Sequence, residues 1–251
     1  MNPKIIPGSF SPIDTNKQTG STQDGKTIRS AHPHHLESME ENIKTKVALE
    51  KALYYDEMVP TLLNKRGFKE KAERELKNYE GPFAIIYFDG DHFKNINDTL
   101  GHAVGDDVIK AIGKAMGQAI EKTSRVKYPK NITAGKEAAG YDRDLLCRRG
   151  GDEFSALLLP RSKERWTGEK ANTAAVKYIE RINYELSKGI KITDATGKEK
   201  TLIITVTSGF SIGMIDKKYE ADQASNVLAK TISDADKKML AIKNSRGVSR
   251  T

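Results

Sequence analysis

Apolar residues recur at helical spacing over residues 36–55, at Leu36, Met39, Ile43, Val47 and Leu53, with charged residues filling the other faces. This spacing predicts an amphipathic helix, shorter and less regular than a self-sufficient coiled coil requires. A second helix is predicted over residues 64–78 and ends before Gly81-Pro82. Phe83-Ala84-Ile85-Ile86-Tyr87-Phe88 is a continuous apolar and aromatic run, the pattern of a strand covered on both faces. Residues 105–122 return to helical spacing through Val108, Ile109, Ile112, Met116 and Ile120. Residues 123–140 carry Pro129, two glycines and many charges, and read as a long exposed loop.

Two short strands follow, Leu145-Leu146-Cys147 and residues 154–159, with Gly150-Gly151 as the tight turn between them. The pattern then predicts a helix over 163–188, a hairpin tip over 193–200, a strand over 202–214 and a helix over 221–244. Residues 1–35 are rich in Pro, Gly, Ser, Thr and Asn without periodicity, and read as a disordered tail. The chain thus divides into a tail at 1–35, a stalk helix at 36–56 and a domain at 57–251. Strands alternating with helices around one hairpin predict an α/β or α+β sheet with helices packed on it.

Composition narrows the picture only slightly. Hydrophobic residues at 37% and charged residues at 30% allow a core beneath a well-solvated surface. No apolar run approaches the roughly 20 residues of a membrane span, and no signal-peptide core stands at the N-terminus. The single Cys147 cannot form an internal disulfide, which fits a cytoplasmic location, and its apolar flank suits a buried structural thiol. A net charge of +8 points toward polyanions, but the basic residues form no block and aromatics reach only 7%. A solvated basic face explains that balance, so nucleic acid is not an expected partner. The His32, His34, His35 cluster around Pro33 reads as accidental rather than as a metal site.

Two acidic segments carry chemistry. Asp89-Gly90-Asp91 follows the buried strand directly, so its carboxylates stand at a sheet end, where a divalent cation could meet phosphates. Gly150-Gly151-Asp152-Glu153-Phe154 lies in the predicted hairpin, where two glycines let backbone approach a phosphate or ribose closely. Taken singly, the first reads as a turn cap and the second as an ordinary hairpin turn.

Taken together, the two segments resemble the GGDEF family of nucleotidyl cyclases. Asp89-Gly90-Asp91-His92-Phe93-Lys94-Asn95-Ile96-Asn97-Asp98, with Gly101-His102 and Gly105-Asp106, is similar to the family's first motif. Arg148-Arg149-Gly150-Gly151-Asp152-Glu153-Phe154 holds its signature, Ser208 to Gly213 resembles its late strand, and Ala235-Asp236 to Lys243 its final helix. The resemblance implies a palm-like domain with a central, mostly antiparallel five-stranded sheet flanked by helices, preceded here by the N-terminal helix. It implies a diguanylate cyclase that joins two GTP into cyclic di-GMP, with one GTP held by each subunit of a homodimer.

By the same resemblance Asp89, the Gly90 carbonyl and Asp152 hold Mg²⁺, with Mn²⁺ as an alternative, and Asp152 is the proton acceptor. Glu153 joins the acidic cluster, Gly151 lets the backbone approach the substrate, Lys94 stabilises phosphate charge and Lys243 contacts the terminal phosphates. Asn97 and Asp106 match the guanine readers. A carboxylate accepts from guanine N1–H and the 2-amino group together, which favours GTP over ATP. His102 matches a position near the substrate.

The sequence also departs from the family. The product-inhibition motif Arg-x-x-Asp reads Tyr141-Asp142-Arg143-Asp144, so Tyr141 replaces the arginine and feedback through that site is expected to be lost or altered. The opening motif is eroded to Glu57-Met58-Val59-Pro60-Thr61-Leu62-Leu63-Asn64-Lys65. The late phosphate-binding arginine, Arg246, follows Lys243 at a shifted spacing and can serve only if the helix has ended before it. Regulation is expected to come through residues 1–56, by a partner protein, by modification of the tail or by oligomerisation. The competing expectation is a catalytically silent domain that binds nucleotide or protein.

Overall fold

The computed structural model describes residues 33–121, 144–160, 164–193, 197–216 and 223–247. The sequence-based readings for most of the tail, for the loop at 123–140 and for Tyr141, Asp142 and Arg143 lie outside them. Among the described residues the central sheet has four strands in the order β2-β3-β1-β6, all antiparallel to their neighbours. These are β1 (Gly81–Gly90), β2 (Leu145–Gly150), β3 (Glu153–Leu158) and β6 (Val206–Ile215). The helices are α1 (Pro33–Tyr54), α2 (Lys65–Lys77), α3 (Phe93–Leu100), α4 (His102–Glu121), α5 (Gly168–Leu186) and α6 (Gln223–Ser245). A separate hairpin pairs β4 (Ile190–Thr193) with β5 (Glu199–Leu202).

Strand β1 is apolar throughout because both of its faces are covered. Alternate side chains of a strand point to opposite faces. Ala84, Ile86 and Phe88 therefore enter one core with Ile109, Ile112 and Met116 of α4 and Tyr178 and Ile182 of α5. Phe83, Ile85 and Tyr87 enter the other with Phe68, Ala72 and Leu76 of α2 and Leu228, Ala235 and Met239 of α6. Helix α2 starts where expected: the side chain of Asn64 accepts from Gly67 N at 2.8 Å, and Arg74 and Lys77 stand at the negative end of the helix dipole.

Helix α6 lies unusually close to β6, and Gly209 is the reason. A Cβ there would stand 2.2 Å from Met239 N and 2.5 Å from Ala235 O. The missing side chain lets helix backbone touch strand backbone, and this fixes where the last turns of α6 fall.

Three elements differ from the sequence-based expectation. The expected strand over 202–214 divides: β5 ends at Leu202, residues 203–205 leave the ladder, and β6 begins at Val206. Among the described residues the central sheet holds four strands, and β4 and β5 pair as a hairpin of their own. The helix expected from 163 begins only at Gly168, where Thr167 Oγ1 accepts from Lys170 N. Helix α3 is an addition: its eight residues are mainly polar and are anchored by buried Phe93.

Candidate active site

The site forms where β1 ends beside the β2-β3 turn. Asp89 pairs in register with Glu153, and Gly90 N donates to Asp152 O at 3.1 Å. The turn needs its glycines, because Gly150 and Gly151 adopt φ of 142° and 52°, values that L side chains avoid. The Asp152 side chain folds over Gly90: a Cβ on Gly90 would lie 3.1 Å from Asp152 Oδ2. The fold thus brings Asp89, the Gly90 carbonyl and Asp152 together, with both carboxylate side chains buried. Burial pushes the Asp89 carboxyl up to about 6, and nearby Asp152 adds to the rise while Lys243 opposes it.

Lys243, in the last turn of α6, reaches the same place from 154 residues away. Its side chain is fully buried, and its ammonium donates to Asp89 Oδ1 and, at 3.0 Å, to the Gly90 carbonyl. The sequence reading gave Lys243 to terminal phosphates, whereas here its ammonium lies against the expected metal donors.

The neighbouring acids are held individually. Tyr87 Oη donates to Glu153 Oε2 at 2.8 Å, and the Arg149 guanidinium stands over the Tyr87 ring at 5.2 Å. Burial, followed by the Glu153 bond, drives the Tyr87 phenol far above its ordinary range. Thr207 Oγ1 donates to Asp91 Oδ1 at 2.6 Å, and Asp91 N donates to Thr205 O at 3.0 Å, which turns Asp91 toward β6.

The expected guanine readers are brought together by a helix–turn–helix. His92 enters α3 in the left-handed region at φ 57°, and Gly101 at φ 86° ends it, its N–H donating to Asn97 O at 2.9 Å. Helix α4 then starts at once, which lays the Asn97 side chain on Gly105. A Cβ at Gly105 would come within 1.9 Å of Asn97 Oδ1. Asp106, the next residue, is half-buried beside it, whereas Lys94 and His102 are exposed. Arg246 is exposed in the turn after α6, which has ended at Ser245.

One element of the site was not read from the sequence. The Arg148 guanidinium binds Asp56 Oδ1 and Oδ2 at 3.3 and 3.1 Å, and its Nε donates to the Gly151 carbonyl at 2.9 Å. Asp56 Oδ1 also accepts from Met58 N and Val59 N at 3.1 and 2.8 Å. The segment after α1 is thereby tied to the turn that carries Asp152. The sequence reading aligned the eroded opening motif on Glu57, one residue away from the acid that makes this link.

Hard oxygen donors gathered around a cationic group suit Mg²⁺ or Mn²⁺. Two carboxylates and a carbonyl form that set. Among the described residues no three His, Cys, Asp or Glu side chains gather into a metal-holding group, so the Gly90 carbonyl is needed beside the two carboxylates.

Comparison with known proteins agrees with this fold. A sequence profile described as "Diguanylate cyclase, GGDEF domain" matches residues 53–128. Diguanylate cyclase TpbB of Pseudomonas aeruginosa strain UCBPP-PA14 is 28% identical over 193 residues, covering 74% of this chain and 35% of TpbB. Diguanylate cyclase DgcM of Escherichia coli K12 is 32% identical over 117 residues, covering 45% of this chain and 23% of DgcM. The chain thus spans about a third or less of the length of these relatives. The coiled coil and GGDEF domain of DgcB from Caulobacter crescentus, solved with c-di-GMP, shares the fold at a TM-score of 0.58. That match is 22% identical and covers 86% of this chain and 92% of the other. Diguanylate cyclase SiaD of Pseudomonas aeruginosa, solved with its activator SiaC, follows at 0.54 with 21% identity, covering 84% and 65%.

Proposed function

The chain belongs to the GGDEF family, and on that premise we propose that it is a diguanylate cyclase condensing two GTP into cyclic di-GMP and two pyrophosphates. The observation that carries this reading is the meeting of Asp89, the Gly90 carbonyl and Asp152 at one buried point where β1 ends beside the β2-β3 turn. Those three groups would hold a divalent cation, which when bound would supply polarisation of the α-phosphate and a lower pKa for the attacking ribose 3′-hydroxyl. As the 3′-oxygen bonds to the α-phosphorus, the bond to the β-phosphate oxygen breaks and pyrophosphate leaves. Asp152 accepts the hydroxyl proton, and Tyr87 keeps Glu153 beside it.

Lys94 offsets phosphate charge from its exposed position at the start of α3, and Arg246 does so from the turn after α6. Asn97 and Asp106 read the guanine edge, where adenine would leave a half-buried carboxylate without donors. Each copy holds one GTP, so turnover requires two. The exposed apolar side chains of Ile43, Leu49 and Leu53 on α1 support pairing with a second copy. An input acting through residues 1–56 would reach the site by way of Asp56 and Arg148.

The test is direct. Purified protein with GTP and Mg²⁺ should yield cyclic di-GMP, and Asp152→Ala should abolish it. A folded protein without turnover at high concentration would sink the cyclase reading and leave a nucleotide-binding module.

A further inference from the structure

The ammonium of Lys243 and a divalent cation would compete for the same oxygens. Lys243 is fully buried, and it donates to Asp89 Oδ1 and the Gly90 carbonyl. Two positive charges on one carboxylate and one carbonyl repel strongly in a poorly solvated pocket. A buried ammonium also needs an oxygen partner wherever it goes. The backbone of α6 offers little latitude, because Gly209 sits against Ala235 and Met239. The four-carbon side chain of Lys243 is therefore the part that can move.

We propose that Lys243 is a tethered cation that pre-arranges the metal-binding oxygens and is exchanged against the divalent metal, its ammonium then turning to the nucleotide phosphates. This inference rests on the cyclase reading of the site. Lys243 holds Asp89 and the Gly90 carbonyl in converging positions, and it must release them for metal to bind. Release is costly unless phosphate oxygens receive the ammonium, so metal and nucleotide bind with positive coupling. The residue thereby disfavours metal capture without substrate.

The test measures Mn²⁺ binding to the full chain by electron paramagnetic resonance without nucleotide, in wild type and in Lys243→Met, which keeps length but loses charge. Mn²⁺ should bind Lys243→Met at least about tenfold more tightly. Equal or weaker binding by the folded variant, with Asp89→Asn abolishing binding in both backgrounds, overturns the exchange and leaves the metal site standing. Binding insensitive to Asp89→Asn overturns the metal site itself. A second measurement needs no variant: reductive methylation read by mass spectrometry should find Lys243 protected alone and labelled once Mn²⁺, without nucleotide, is raised until the resonance signal shows the site filled. Labelling unchanged with the metal site filled overturns the exchange.

Discussion

Arg148 holds the carboxylate of Asp56 across 92 residues of sequence while its Nε holds the carbonyl of Gly151. One guanidinium therefore links the segment after α1 to the turn that presents Asp152. Both side chains are mostly buried, at 14% and 13% exposure, so removing one partner leaves a charge poorly solvated. Arg148→Ala should destabilise the domain by about 2–4 kcal/mol. Asp56→Ala should cost a similar amount, because it also frees two backbone N–H groups. Denaturation of both single variants and the double variant would measure the coupling, and additive losses would show the link to be idle.

Gly105 separates substrate reading from stability. Alanine favours a helix over glycine by about 1 kcal/mol, yet its Cβ would stand 1.9 Å from Asn97 Oδ1. Gly105→Ala should raise KM for GTP roughly 10- to 100-fold while the melting temperature stays near wild type or above it. Unchanged KM would remove Asn97 from the guanine site.

Asp106→Ala should also raise KM for GTP roughly 10- to 100-fold and narrow the preference over ATP. Competition assays with both nucleotides would read the ratio. A loss of turnover with KM and preference unchanged would argue against guanine reading.

Gly209→Ala acts by overpacking. Its Cβ would meet helix backbone at 2.2 Å, which no rotamer change relieves. The expected loss is about 1–3 kcal/mol, read by chemical denaturation.

Burial pushes the Cys147 thiol up to about 12. A pKa raised by folding means that the stability held below the unfolded thiol value is lost as pH rises through the folded one. Native protein should resist thiol reagents at pH 8 and react fully once unfolded. Fast labelling of native protein would contradict the buried position.

The two acidic motifs were legible because each is contiguous, and β1 because cover on both faces leaves an unbroken apolar run. The link between Asp56 and Arg148 was not, since nothing local marks a pair so far apart and the neighbouring Glu57 offered an equivalent acid. Helix α3 escaped because it is only eight residues long and mainly polar, with Phe93 its one buried side chain. The division between β5 and β6 escaped because Ile203, Ile204 and Thr205 continue the apolar run of both strands. Only Ile204 of these three enters the central core. The burial of Lys243 against Asp89 ran against the ordinary expectation that lysines stay in water.

Lys243 meets Asp89 across 154 residues, so their contact cannot form until α6 has been synthesised, well after Asp89. A ribosome delivers Asp89 and Asp152 long before it delivers α6, and contacts of such sequence separation form slowly. During synthesis the acids therefore wait for their internal cation until α6 docks on the sheet.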